Sequence, residues 1–118
     1  MDVVEVVVTD EFKEWWEALD NDDAVDVARV VDLLEAEGTA LGFPYSSGIK
    51  ESRFPLRELR VQSRGRPIRV FYAFDPWRQA VLLIAGDKTG DDRFYETFVP
   101  KAEAIWEQYL AEEEERRK

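Results

Sequence analysis

The sequence predicts a single α+β domain in which a small antiparallel sheet is packed by an N-terminal α-hairpin and a C-terminal helix. Three observations predict this class: a β-branched run near the N-terminus, two apolar stripes of helical spacing, and three alternating segments followed by a long amphipathic one. The predicted order of elements is β-α-α-β-β-β-α, and one domain spans residues 1–118. A chain of 118 residues is long enough to bury one core of its own.

The first strand and the two helices are predicted in the N-terminal third. Residues 3–8 form a β-branched run bounded by Asp2 and Thr9, and Thr9 with the acids after it is typical of a helix N-terminus. Apolar residues at helical spacing then mark a first helix: Phe12, Trp15, Trp16 and Leu19. A polar joint follows, and the apolar spacing restarts in a second helix that ends at Gly38.

The rest of the chain is predicted to form an aperiodic loop, three strands and a helix. Residues 39–55 hold glycines, prolines and hydroxyl residues without any period, and a loop of this length is more often functional than a plain connection. Strands are expected at about residues 56–63, 67–74 and 79–86. The C-terminal stripe continues across Pro100, which predicts either one kinked helix or a turn followed by a helix from Pro100.

Composition excludes several kinds of chemistry. The chain has no cysteine and no histidine, so it lacks disulfides, thiol catalysis, cysteine or histidine metal sites and a histidine general base. The N-terminal apolar run is too short to cross a membrane and lacks a basic leader region, so the cytoplasm is the expected location. A net charge of −10 argues against non-specific binding to nucleic acid by the chain as a whole.

The positive charge is gathered in one part of the sequence. Residues 48–78 hold eight basic and three acidic residues, whereas residues 1–47 hold two basic and thirteen acidic ones. Five of the arginines fall within RELRVQSRGRPIRVFY, residues 57–72, which is also where a β-hairpin is predicted. The sequence therefore predicts a basic patch on an acidic body.

The predicted hairpin places two of these arginines opposite each other. Matching the apolar alternates of its two strands requires an even-numbered turn, and the tightest is Arg64-Gly65. In that register Arg60 pairs with Arg69 on the face that also carries Glu58. Two guanidinium groups in direct opposition are unfavourable unless an anion lies between them. That anion is either a bound phosphate or an acid of the chain such as Glu58, which would make a surface salt network.

The order of elements, together with LRELRV, RVFYAF and LLIAGDKTG, resembles the RelE/ParE toxin superfamily, and the HigB-like branch is the nearest match. The resemblance implies a RelE-like fold and the toxin of a type II toxin–antitoxin system. It implies a metal-independent mRNA endoribonuclease, without a cofactor, that acts on translated messages at the ribosome. The implied partner is a cognate helix-turn-helix antitoxin, and DNA is contacted only through it. A ParE-like inhibitor of DNA gyrase and a non-catalytic antitoxin-binding module are the alternatives.

The resemblance also assigns site residues. Arg60 and Arg69 match the arginines of the two strand motifs and would bind the scissile phosphate. Tyr72 matches the motif tyrosine, and Lys88 matches the second of two lysines that often follow the last strand. Either would handle protons, although unperturbed pKa values near 10 make a tyrosine or lysine a poor base at neutral pH. Glu58 would act as a base or orient an arginine.

The remaining cations of the hairpin and one further tyrosine are assigned to RNA or phosphate binding: Arg57, Arg64, Arg66 and Tyr95. Read without the resemblance, Tyr72 is a core residue, Tyr95 packs a helix on the sheet, and Lys88 is a solvated loop residue. Two features depart from the family pattern. Asp87 stands where the first lysine is expected, and the net charge is −10 where ribosome-dependent ribonucleases are commonly basic.

Overall fold

The structure, a computed structural model, describes residues 3–118 and confirms the α+β class with three helices and five strands. Asp2, the predicted boundary before the first strand, lies outside the described residues. The elements are β1 Glu5–Val8, α1 Asp10–Glu17, α2 Asn21–Glu37, β2 Ser46–Gly48, β3 Arg57–Ser63, β4 Arg66–Phe74, β5 Gln79–Asp87 and α3 Phe94–Arg116. None of the helices within residues 3–118 is both long and apolar enough to cross a membrane.

The sheet is mixed, so the prediction of an antiparallel sheet was wrong at one edge. The strand order is β1-β5-β4-β3-β2, with β1 parallel to β5 and the other neighbours antiparallel. The predicted order of elements also lacked β2. Its sequence, Ser-Ser-Gly, has none of the β-branched or aromatic residues that mark a strand, and β2 forms through its pairing with β3.

Each face of the sheet is covered by helix. Helices α1 and α2 pack on one face, where Phe12, Val27 and Leu34 meet Leu59 and Val70. Helix α3 packs on the other face through a second cluster that includes Phe71, Leu83, Phe94, Ala102 and Trp106. Both faces are therefore mostly dry, and a polar group on either of them needs a partner.

The predicted helix ends are confirmed by their caps. The side chain of Thr9 accepts a hydrogen bond from the Phe12 N–H at the start of α1. Asp20 caps α2 in the same way through the Asp23 N–H, 2.9 Å away. Helix α2 ends at Gly38, whose φ of 57° is one that glycine adopts without strain. Pro100 lies inside α3, so the single-helix alternative is the one observed.

The arginine hairpin has the predicted register. Arg64 and Gly65 form the two-residue turn, with φ values of 51° and 77°, as the tightest hairpin turns require. Leu59 therefore pairs with Val70, and Arg60 pairs with Arg69. The apolar members face α1 and α2, and the two arginines share the face that is covered by α3.

Candidate functional site

Five side chains converge where the arginine face of the sheet meets the start of α3. We call them the Glu58 cluster: Glu58, Arg60, Arg69, Lys88 and Tyr95. β3 supplies two of them, β4 supplies one, the residue after β5 supplies one, and the first turn of α3 supplies one. The strand alternation fixes the first three on one face, and the helix brings the tyrosine down onto them.

Glu58 is the centre of this cluster. Its carboxylate is almost fully buried, with 4% of the residue exposed. Oε1 accepts the Tyr95 hydroxyl at 2.6 Å and lies 3.7 Å from Arg69 Nε. Oε2 accepts Ser47 Oγ at 2.9 Å and an Arg60 guanidinium nitrogen at 3.2 Å. The two opposed arginines are thus bridged by an acid of the chain itself, which was one of the two interpretations of the sequence.

Arg69 has unused hydrogen-bonding capacity. Only 4% of the residue is exposed, and one guanidinium nitrogen donates to the carbonyl of Ile68 at 3.2 Å. Nε is buried and makes no hydrogen bond within residues 3–118. A buried donor without a partner carries a desolvation cost of roughly 1–3 kcal/mol, more when it is charged. An anion that reached this nitrogen would recover that cost.

Tyr95 and Lys88 close the side of the cluster next to α3. Burial, helped by the hydrogen bond to the Glu58 carboxylate, raises the pKa of Tyr95, so the phenol holds its proton at neutral pH. Lys88 Nζ lies over the Tyr95 ring, 5.3 Å from its centroid. Lys88 is half-buried and joins the cluster through this contact with the Tyr95 ring.

The cluster keeps a positive charge after Glu58 is counted. It contains three basic side chains and one carboxylate, for a formal net charge of +2. Dry surroundings strengthen the field of such a group compared with the same charges in water. The three cations can therefore bind a dianion or a phosphodiester. Glu58 is the side chain of the cluster that can accept a proton.

Tyr72 and Arg57 do not belong to this cluster. They pair with each other across β3 and β4 on the opposite face of the sheet, where Tyr72 joins the core formed with α1 and α2. Tyr72 is fully buried, and its hydroxyl lies 2.5 Å from Ser46 Oγ and 3.3 Å from Arg57 Nε. Tyr72 is therefore a core residue, as the sequence predicts when it is read without the family resemblance. The structure therefore separates Tyr72, the predicted catalytic tyrosine, and Arg57, a predicted phosphate-binding residue, from the Glu58 cluster.

Arg64 and Arg66 are held by acids at the start of α2. Arg64 donates to Asp20 at 2.6 Å and to Asp23 at 3.2 Å, and Arg66 also binds Asp23. Arg66 reaches Asp87 as well, at 3.0 Å. Asp87, which stands where a lysine is expected, is thus part of the ion-pair network of Arg66. Both arginines are ion-paired away from the Glu58 cluster, and their assignment to RNA or phosphate binding stays a prediction.

Three neighbours of the cluster were missed by the sequence analysis. Ser47 donates to Glu58, and Phe43 and Tyr45 are exposed beside Arg60. All three fall in the aperiodic segment of residues 39–55, whose sequence FPYSS places two aromatic residues where burial is not expected. Aromatic residues in a segment that is predicted to be an exposed loop were the signal that could have indicated a binding surface. Within residues 3–118, no group of three or more aspartate or glutamate side chains is placed to hold a metal ion.

Comparison with known proteins gives the family. Residues 14–107 match the phage-derived protein Gp49-like family (DUF891), which is well over half of the chain. The chain belongs to the Gp49-like family. This Gp49-like chain is 40% identical over 110 residues to a Mycobacterium tuberculosis (strain ATCC 25618 / H37Rv) protein named "Putative toxin HigB3", covering 92% of this chain and 95% of that one. No solved structure is a significant match.

A second relative from the same organism is longer. The Gp49-like chain is 36% identical over 104 residues to the protein named "Putative toxin HigB2", covering 86% of this chain and 52% of that one. It therefore spans about half of the HigB2 length and nearly all of HigB3. These two relatives confirm the resemblance to HigB proteins. The wider RelE/ParE assignment and the RelE-like fold stay predictions.

Proposed function

We propose that this protein is the toxin of a type II toxin–antitoxin system and that it cleaves messenger RNA without a metal ion or cofactor. Two relatives named as toxins, at 40% and 36% identity, support the first part. The Glu58 cluster supports the second part. Its single most informative feature is the buried Arg69, whose Nε has no hydrogen-bond partner among the described residues and faces a carboxylate that could take a proton.

Phosphate is the anion that fits this cluster best. Arg60 and Arg69 present planar guanidinium forks, which match the oxygen geometry of phosphate and carboxylate groups. Glu58 already occupies the carboxylate position between them. The formal charge of +2 that remains is enough to offset a phosphodiester and the extra charge that develops on it during cleavage.

The proposed reaction uses the RNA's own 2′-hydroxyl. Its oxygen attacks the adjacent phosphorus and gives its proton to Glu58, while Arg60 and Arg69 stabilise the charge on the five-coordinate phosphorus. The bond from phosphorus to the 5′-oxygen then breaks, and Tyr95 or Lys88 returns a proton to that oxygen. The products are a 2′,3′-cyclic phosphate and a 5′-hydroxyl end. This scheme omits Tyr72, which the resemblance had included.

The proposal includes the partners. The cognate antitoxin is a helix-turn-helix protein, through which DNA is contacted, and the substrate is a message in translation on a cytoplasmic ribosome. The acidic body sets a condition on the encounter with RNA. At a net charge of −10, long-range attraction to a polyanion is absent, and the basic surface around the Glu58 cluster must orient the approach.

The test is inducible expression in a bacterium without the antitoxin, with transcript 5′ ends mapped after induction. Wild type should arrest growth and create new ends in translated messages, and Arg60→Ala should do neither. Arg60 is the better target because 30% of its side chain is exposed, so the variant should fold. Arg29→Ala is the matched control, because this exposed arginine on α2 forms its ion pair with Asp26, away from the Glu58 cluster.

The other outcomes identify the alternatives. Growth arrest with intact transcripts would replace the ribonuclease with a gyrase-type target. Normal growth with a folded wild-type protein would return the arginines to a structural salt network in an antitoxin-binding module. Urea unfolding of both variants gives the fold control, and Arg60→Ala has to unfold as cooperatively as Arg29→Ala.

A further inference from the structure

Two exposed aromatic side chains stand next to the Glu58 cluster. Phe43 is 75% exposed and Tyr45 is 46% exposed, which makes them the two exposed aromatic residues among the large exposed hydrophobic side chains of residues 3–118. An exposed phenylalanine ring gains little from its neighbours and gives up the free energy of burial. Phe43 and Tyr45 lie in one short turn and form a surface that is suited to a partner with a flat apolar face.

The turn that carries these rings is held in place. The N–H groups of Tyr45 and Ser46 both donate to the carbonyl of Gly42 at 3.1 Å. The backbone N–H of Arg60 donates to the carbonyl of Tyr45 at 2.8 Å, which fastens the turn to β3. The rings are therefore presented by an anchored turn at a fixed distance from the arginines, so little ordering entropy remains to be lost on binding.

Arg60 connects the aromatic surface to the phosphate site. Its guanidinium carbon lies over the Phe43 ring, 5.2 Å from the centroid, while one of its nitrogens contacts Glu58 at 3.2 Å. A phosphate bound at Arg60 thus has a flat apolar ring as its next neighbour. A nucleotide has matching features, because its charged phosphate is followed by a flat base.

The cavity that adjoins the cluster at Tyr95 is acidic. Beyond Tyr95 lies a cavity of 450 Å³ whose lining includes four carboxylates: Glu51, Asp92, Glu96 and Glu103. A polyanion that occupies the Glu58 cluster cannot continue favourably in that direction. This charge disfavours a strand path over the cavity and favours one towards Phe43 and Tyr45.

We propose that Phe43 is a stacking platform for an unpaired RNA base adjacent to the phosphate held by Arg60 and Arg69, with Tyr45 extending the same surface. The inference rests on the proposed ribonuclease function and adds the form of its substrate. Aromatic rings bind bases that are splayed out of a helix, so the substrate is single-stranded at this point. Stacking tolerates any base, so Phe43 contributes to binding more than to sequence preference.

The test is single-turnover cleavage of a short message on programmed ribosomes with an empty A site. Each nucleotide that flanks the cleaved bond is replaced in turn by an abasic residue. Phe43→Ala should slow cleavage of the intact message by roughly five- to 150-fold, the range measured for loss of one stacked base. The message that lacks the stacked base should be cleaved slowly by wild type, and Phe43→Ala should cleave it no more slowly than wild type does. Phe43→Trp should restore the rate, and Val25→Ala, which trims an exposed apolar side chain on α2, should leave it unchanged.

The remaining outcomes overturn the inference in distinguishable ways. Equal slowing of intact and abasic messages by Phe43→Ala would mean that the ring does not stack on a base, and the ribonuclease function would stand. An unchanged rate together with lost antitoxin binding would make the aromatic surface a protein-docking site. Failure of wild type to cleave any message would remove the proposed function and this inference with it.

Discussion

Arg60 and Arg69 pair directly across β3 and β4, and Glu58 contacts both of them. Opposed like charges destabilise a sheet, so this pair requires a counter-charge in every state of the folded protein. The carboxylate meets that requirement when nothing is bound. A substrate phosphate would meet it during reaction, when Glu58 takes up a proton and loses its charge. The same geometry therefore links the stability of the hairpin to the proposed chemistry.

We expect Glu58→Gln to lower the free energy of unfolding by about 3 kcal/mol, because it leaves a buried guanidinium without its counter-charge. Message cleavage should be lost as well. Urea unfolding checks the first result and 5′-end mapping the second. Glu14→Gln, at an exposed position on α1, should stay within about 0.5 kcal/mol of wild type. Equal stability of the two variants would contradict the bridging role.

We expect Asp23 to make stability depend on pH in acid. The hydrogen bond from Arg66, followed by that from Ser63, lowers the pKa of Asp23 from 3.8 to about 2. Because the folded-state pKa is depressed, this stabilisation is complete above about pH 4 and is lost as the pH falls towards 2. The urea midpoint of Asp23→Asn should therefore change less between pH 4 and pH 2 than that of wild type. Asp32→Asn, an equal charge change on the exposed side of α2, should follow wild type.

We expect Tyr72→Phe to lower the free energy of unfolding by about 1 kcal/mol, since it removes a buried hydroxyl that contacts Ser46 and Arg57. Message cleavage should persist, because the phenol lies on the face opposite the Glu58 cluster. Thermal unfolding and 5′-end mapping measure the two effects. Lost cleavage in a variant of near-normal stability would restore the catalytic role that the resemblance assigned to this tyrosine.

We expect Gly86→Ala to destabilise the protein by about 1–3 kcal/mol through overpacking. Gly86 pairs with Arg69, and a Cβ added there would lie 2.6 Å from Phe98 Cζ and 3.1 Å from Phe94 Cε1. The two rings stack on each other, so neither yields easily. Gly48→Ala is the control, since its nearest contact would be an ordinary 3.7 Å. Similar urea midpoints for the two variants would contradict this packing argument.

The register of the arginine hairpin could be predicted because it depends on local rules. Side chains alternate along a strand, and a two-residue turn fixes which residues face each other, so the Arg60–Arg69 pair followed from the apolar alternates together with the tightest turn. The proximity of Glu58 followed from the same alternation. These features of the site required no knowledge of what packs above the sheet.

The remaining features depend on contacts between distant segments. Arg64 and Arg66 are neutralised by Asp20 and Asp23, acids at the start of α2 that lie more than forty residues away in the chain and that no hairpin argument includes. The placement of β1 beside β5 and the pairing of the Ser-Ser-Gly strand were missed for the same reason. The exposure of Phe43 depends on where its turn is fastened, which is the backbone of Arg60.

The parallel pairing of β1 with β5 has a consequence for biosynthesis. β1 is synthesised before the other described strands, but it has no sheet partner until residues 79–82 have been synthesised. The hydrogen bond from the Thr9 hydroxyl likewise cannot form until the carbonyl of Leu83 is present. Tyr95 arrives later still. A nascent chain therefore cannot assemble the sheet edge or the complete Glu58 cluster until residues 79–95 have left the ribosome. The protein that we propose attacks translation acquires its active arrangement only after Tyr95 of its own chain has been translated.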